Sequence, residues 1–122
     1  MADVSGGGVS ADEVLRLAGG LAGVEQHQSR DDVAFRVRGK GFAYLSDDGE
    51  TLVVKATRDE QAALVLDNPV AYERSHCSGR FGWVLVRLAH VPPDELAELV
   101  TEAWLLTAPR KLTAGRPGVA GG

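Results

Sequence analysis

The chain has 122 residues, 44% of them hydrophobic and 25% charged, with a formal net charge of −4. That balance belongs to a folded globular protein, and the length suits one domain that buries roughly two-thirds of its unfolded surface. No apolar run approaches the ~20 residues of a membrane span, and the start lacks the basic and apolar stretches of a signal peptide. Cys77 stands alone, so no internal disulfide forms and a reducing, cytoplasmic setting is expected.

Residues 1–9 include Gly6, Gly7 and Gly8, and residues 113–122 are again glycine-rich; neither stretch buries enough apolar surface to offset chain entropy, so both are expected to be flexible. A single domain over residues 10–112 lies between them. Ser10 with Glu13 forms a Ser-x-x-Glu capping box that opens a helix through Val14, Leu15, Leu17 and Ala18. Gly19 and Gly20 close it by taking the left-handed conformation.

From Val33 the apolar period becomes two, with Val33, Phe35 and Val37 alternating against Ala34, Arg36 and Arg38, as in a half-buried strand. Gly39-Lys40-Gly41 turns the chain into a strand over Phe42–Ser46, and Asp48-Gly49 is a hairpin signal before Thr51–Ala56. Thr57 with Glu60 repeats the capping pattern and starts a helix that Asp67-Asn68-Pro69 stops. Ala71–His76 and Trp83–Leu88 read as strands around a Ser78-Gly79-Arg80 turn. A last helix starts near Pro92-Pro93, carries Leu96, Leu99, Val100, Ala103 and Leu106 on one face, and ends at Pro109. The order helix, three strands, helix, two strands, helix predicts an α+β domain of two layers. An antiparallel sheet of about five strands then has its helices packed on one face.

The stretch Phe35-Arg36-Val37-Arg38-Gly39-Lys40-Gly41-Phe42-Ala43 combines with Leu21-Ala22-Gly23-Val24-Glu25, Asp48-Gly49, Lys55, Gly82-Trp83-Val84 and Ala108-Pro109-Arg110-Lys111-Leu112. Together they resemble the MmcQ/YjbR-like family over roughly residues 21–112. Ala22 stands where that family's Leu-Pro-Gly-Val stretch has proline. The resemblance implies a frataxin/CyaY-like α+β fold. It also implies the DNA-binding role by a double wing of hairpins with which such proteins are commonly described, and it brings no catalytic motif.

The charges point the same way from the residues themselves. Arg36, Arg38, Lys40, Lys55, Arg74, Arg80 and Arg87 fall on the expected strands and their glycine turns, whereas the expected helices carry most of the carboxylates. A local basic face attracts phosphate even on an acidic protein. If Phe35, Leu52 and Val84 point inward, strand alternation sends Arg36, Lys55 and Arg87 to the face away from the helices. Two of these three are expected to share that face. Trp83 and Leu85 point the same way by parity, while over Phe42–Ser46 either the pair Phe42 and Tyr44 or the pair Ala43 and Leu45 faces out. With Tyr44 outward, cations and rings interleave as on a nucleic-acid surface, although packing in the core explains Trp83 and Tyr44 equally simply.

The reading is a non-enzymatic DNA-binding domain that contacts phosphates through Arg36, Arg38, Lys40, Lys55, Arg80 and Arg87. Its binding is expected to be weak and salt-sensitive, because the net charge opposes a polyanion. The alternative is a protein-interaction or small-ligand module whose open face receives its partner through Tyr44, Trp83 and Leu85. A monomer without cofactor or metal is expected. His27, His76 and His90 lack metal-ligand spacing, no Gly-x-x-x-x-Gly-Lys-Ser/Thr loop occurs, and Asp31-Asp32 and Asp47-Asp48 are explained as turn residues. His76 and Cys77 are adjacent on a strand, so they should face opposite sides and form no nucleophile–base pair.

Overall fold

Both capping motifs close as hydrogen bonds. In a computed structural model, which describes residues 8–111, the Ser10 hydroxyl accepts from the Glu13 amide and the Glu13 carboxylate accepts from the Ser10 amide. The Thr57 hydroxyl likewise accepts from the Glu60 amide. They start α1 (Ala11–Gly19) and α2 (Arg58–Asp67); α3 (Pro93–Thr107) starts on proline, whose missing N–H costs nothing in a first turn. The described residues also form six strands: β1 (Val24–Gln28), β2 (Asp32–Val37), β3 (Lys40–Ser46), β4 (Thr51–Thr57), β5 (Tyr72–Ser78) and β6 (Phe81–Arg87).

The strands form one antiparallel sheet in the order β1-β2-β3-β4-β6-β5. The α+β class and one-sided helical layer stand as expected, but the strand count rises to six. The added strand, β1, reads Val-Glu-Gln-His-Gln with four exposed positions, so no buried alternation marks it. It is held at the sheet edge by pairing with β2 from Val24↔Val37 to Gln28↔Val33. The first helix also ends differently: Gly20 caps it in the right-handed region (φ −85), and the left-handed residue is Gly23 (φ 73) in the turn before β1.

Inward parity holds for Phe35, Val37, Leu52, Val54, Val84 and Val86, all fully buried against Leu96, Val100 and Trp104 of α3. Trp104 also donates its indole N–H to the Ala22 carbonyl at 3.0 Å, tying α3 to the segment before β1. Leu106, counted in the apolar face from spacing, is only partly buried. Val9, assigned by composition to the loose N-terminus, is buried and its amide donates to the Leu88 carbonyl at 2.9 Å. The rest of both terminal stretches, residues 1–7 and 112–122, lies outside the described residues.

Among the described residues one polar side chain enters this core. Gln61 on α2 is 4% exposed, and its amide donates to the carbonyls of His76 (3.0 Å) and Trp83 (2.8 Å). The first of those carbonyls belongs to a strand interrupted by a bulge: β5 shifts register between Arg74 and His76, leaving Ser75 without a partner residue on β6. Gln61 thus meets main-chain groups near the point where the ladder is broken. Its close seat requires Gly82, where a Cβ would lie 2.9 Å from the Gln61 side chain. At the other end of β5, the buried Tyr72 donates its hydroxyl to Glu95 of α3. Burial first, and then that carboxylate, push the Tyr72 phenol far above its ordinary value.

Candidate functional site

The sheet face away from the helices is set by cross-strand register, because directly opposed residues share a side. One row across it reads His27, Ala34, Tyr44, Val53, Leu85, Glu73. Nearer the β2–β3 and β5–β6 turns, Glu25, Arg36 and Gly41 are aligned across β1–β3, and Lys55, Trp83 and His76 across β4–β6–β5. Thr57, Phe81 and Ser78 lie nearest the β5–β6 turn. Thr51 and Arg87 lie toward the opposite end. Arg36, Lys55 and Arg87 therefore all share the open face.

The strand left open by alternation resolves through a bulge. Opposite β2, the register jumps from Phe35↔Ala43 to Arg36↔Gly41 and leaves Phe42 as the extra residue. Phe42, Ala43 and Leu45 consequently all join the core, and Tyr44 alone of the pair Phe42 and Tyr44 faces out. Neither two-residue alternative from the sequence is fully right, because a bulge inserts a residue that alternation does not count. The Tyr44 phenol lies over Gly41, where any side chain would collide with it.

The hairpin tips also differ from expectation by a residue. Val37 pairs with Lys40, so the first turn is Arg38-Gly39, with φ 54 and 79. Positive φ at both positions is the type I′ pattern that matches strand twist, and it places a bulky arginine where glycine or asparagine is favoured. Arg38 is therefore a turn-tip residue and not a strand residue. Ser78 pairs with Phe81, so the second turn is Gly79-Arg80, with only Gly79 (φ 60) left-handed, as in type II′. The longer Asp47–Glu50 turn is held by Asp48, whose carboxylate accepts from the Ser46 hydroxyl and the Glu50 amide at 2.9 Å. Those two hydrogen bonds, the hydroxyl's first, hold the Asp48 carboxyl below its ordinary value.

Cations gather at the end of the face formed by the Arg38-Gly39 and Gly79-Arg80 tips. Lys55 extends its ammonium to 4.2 Å from the Phe81 ring centre and 6.0 Å from that of Trp83. The Arg80 guanidinium covers the same Phe81 at 5.2 Å. Desolvation, and then the positive charges of Lys40 and Arg80, hold the Lys55 ammonium below the ordinary lysine value. Among the described residues no carboxylate pairs with Arg36, Arg38, Lys40, Lys55 or Arg80. Arg87 differs. It is bound to Glu73 on β5 and donates to the Val70 carbonyl at 3.2 Å, so its charge is already met.

The aromatic part of the face is contiguous. Trp83 stacks on His76 at 5.7 Å with the planes 7° apart, and meets Tyr44 at 5.7 Å and 46°. Flanked in this way Trp83 is only 9% exposed, although it lies outside the core under the helices. Leu85, the third residue of the alternative partner site, sits beside it and is partly buried. The sequence singled out Trp83 and Tyr44 but missed His76 and Phe81 as their companions; the cross-strand pairings His76↔Trp83 and Ser78↔Phe81 follow from the turn and the bulge.

Other chemistry is not assembled. His76 lies on the open face, whereas the Cys77 thiol on the helical side donates to the Gln61 side-chain carbonyl at 3.4 Å. Among the described residues no group of three or more His, Cys, Asp or Glu side chains is placed to hold a metal ion. No helix among them is long and apolar enough to cross a membrane.

Comparison with known proteins adds to this geometry. The chain is similar to an uncharacterized protein of Mycobacterium bovis and to another of Mycobacterium tuberculosis, each 44% identical over 50 residues. That match covers 41% of this chain and 39% of the length of either relative. Its fold is similar to the crystal structure of Deinococcus radiodurans protein DR2400, a DUF419 domain, with a TM-score of 0.70. That likeness has 21% identity and covers 80% of this chain and 77% of the other. The family model described as YjbR matches residues 19–106, most of the sheet and helices described above, and the chain belongs to the YjbR family.

Proposed function

We propose that the protein binds nucleic acid, without catalysis, through the basic end of its open sheet face. The observation that carries this reading is the meeting of Lys55 and Arg80 over Phe81, within reach of the Lys40 charge, with no carboxylate partner among the described residues. Holding like charges together while partly desolvating one of them costs stability, and a bound phosphate would offset that cost. Arg36 and Arg38 extend the patch toward the first hairpin, and DNA is the polyanion taken as ligand. Arg87 is left out, because Glu73 neutralises it.

The experiment is a salt titration of binding to short oligonucleotides by fluorescence anisotropy. Affinity should fall steeply with salt, with a log–log slope of roughly −2 to −4 if three to five cations release counterions. Replacing Lys55 and Arg80 together by glutamate should weaken binding at least about tenfold while Arg87→Ala changes it less than about twofold. A flat salt response, or equal loss in the two variants, would remove phosphate contact from the account. Binding of a protein or small ligand through Tyr44, Trp83 and Leu85 is the second reading, favoured by their contiguity; it predicts retention of the partner at salt that strips nucleic acid away.

A further inference from the structure

Resting on that nucleic-acid reading, we infer that the ligand is a single strand laid across the sheet face, and that paired duplex is the poorer ligand. The argument is one of shape and of where the rings are. Six paired strands about 4.8 Å apart make a face about 24 Å wide, twice the ~12 Å width of a DNA major groove. Only the two-residue tips, Arg38-Gly39 and Gly79-Arg80, are narrow enough to enter a groove of a duplex. The rings lie behind them: Trp83 is three residues from Arg80, about 10 Å back along the strand. Stacked bases inside a duplex cannot reach that depth, whereas the unpaired bases of a single strand lie open to it.

The rings are also placed for bases in particular. His76 is exposed and already lies flat on Trp83, so its outer face continues an aromatic stack that a nucleobase would extend. Tyr44, partly exposed, flanks the other side of Trp83, and Phe81 stands at the basic end under Lys55 and Arg80. Lys55 of β4 lies beside the rings on the open face and Arg80 follows at the β5–β6 turn, while Lys40, paired with the inward Val37, adds its charge from the tip end of β3. A track of cations beside a row of rings is the arrangement that binds single strands with little sequence preference. The compactness of the cation group matches a short stretch of backbone and falls short of the many phosphates that a duplex-coating protein neutralises.

The test measures a labelled twelve-residue oligothymidylate against its duplex with oligoadenylate at one low salt concentration. The single strand should bind at least about tenfold more tightly. His76→Ala and Tyr44→Leu should each cost it about fivefold or more, the loss of one stacking contact, and leave duplex binding unchanged. His76 is exposed, so its removal leaves the fold intact even if the Tyr44 variant proves unstable by thermal melting. Duplex binding as tight as single-strand binding, or ring variants without effect on the single strand, overturns the inference while Lys55-dependent binding would keep the broader reading. Binding to neither probe overturns both.

Discussion

The two ends of β6 carry the same kind of residue to different effect. Arg80 and Lys55, at the end near the hairpin tips, meet over the Phe81 ring within reach of the Lys40 charge and, among the described residues, with no carboxylate partner. Arg87, at the far end of the same face, meets Glu73 across the β5–β6 ladder and is neutralised. Lys55 and Arg87 both satisfy the alternation that predicted an outward basic residue, and Arg80 sits in the turn. What separates them is the neighbour supplied by the next strand, so outward parity establishes exposure and cross-strand pairing establishes whether a charge is available.

The two ends of β5 extend the contrast to stability and can be tested against each other. The largest effect is expected at the end near the tips, where Gln61→Ala leaves the His76 and Trp83 carbonyls without their donor and opens a small void. It should destabilise by about 2–3 kcal/mol in urea melts. A loss below about 1 kcal/mol would mean that water replaces Gln61 and that the bulge needs no side-chain support. At the far end Tyr72→Phe removes one hydrogen bond to a carboxylate and should cost about 1–2 kcal/mol. Tyr72 and Glu95 also set an alkaline limit. The folded phenol titrates above its unfolded value, so its contribution is complete below pH 10 and declines as pH rises through the higher folded value. Melting curves of wild type and the phenylalanine variant should therefore converge only at strongly alkaline pH.

Smaller effects probe the tips and the far arginine. Arg38 holds φ 54 in a turn that favours asparagine there, so Arg38→Asn should stabilise the fold by about 0.5–1 kcal/mol. A weaker salt dependence of binding in the same variant would mark stability traded for charge. If the variant is less stable than wild type, Arg38 makes contacts that repay its strain. Glu73→Gln releases Arg87 at a cost of no more than about 1 kcal/mol, because the pair is exposed. It should leave thermal melting nearly unchanged and raise oligonucleotide affinity slightly; a large gain would show that the far end is a latent part of the same surface.

The legible parts of the fold were those governed by local rules. The Ser10–Glu13 capping box, the Thr57 cap, the Pro92-Pro93 start and the Asp48-Gly49 turn are each decided within a few residues and lie where the sequence puts them, and the period-two strands lie within about two residues of their expected bounds. The edge strand β1 was invisible because four of its five side chains are exposed, so the main-chain bonds to β2 define it and no apolar pattern does. Gln61 gave no signal either. It is a polar residue on a helix, and it becomes a core residue only because bulged β5 and close-packed Gly82 come to lie beneath it.

By itself the sequence determined the family, the two-layer class, the inward set Phe35, Val37, Leu52, Val54, Val84 and Val86, and the outward direction of Arg36, Lys55 and Arg87. All of these depend on side-chain periodicity and turn chemistry, which act between near neighbours along the chain. Tertiary structure decided that Phe42 joins the core while Tyr44 stays out. It also decided that His76 stacks on Trp83, that Lys40, Lys55 and Arg80 gather, and that Glu73 takes Arg87 out of the patch. Those outcomes turn on two bulges and on the pairing of β4 with β6 across 23 intervening residues. A one-residue shift in register changes every partner without changing a single local preference.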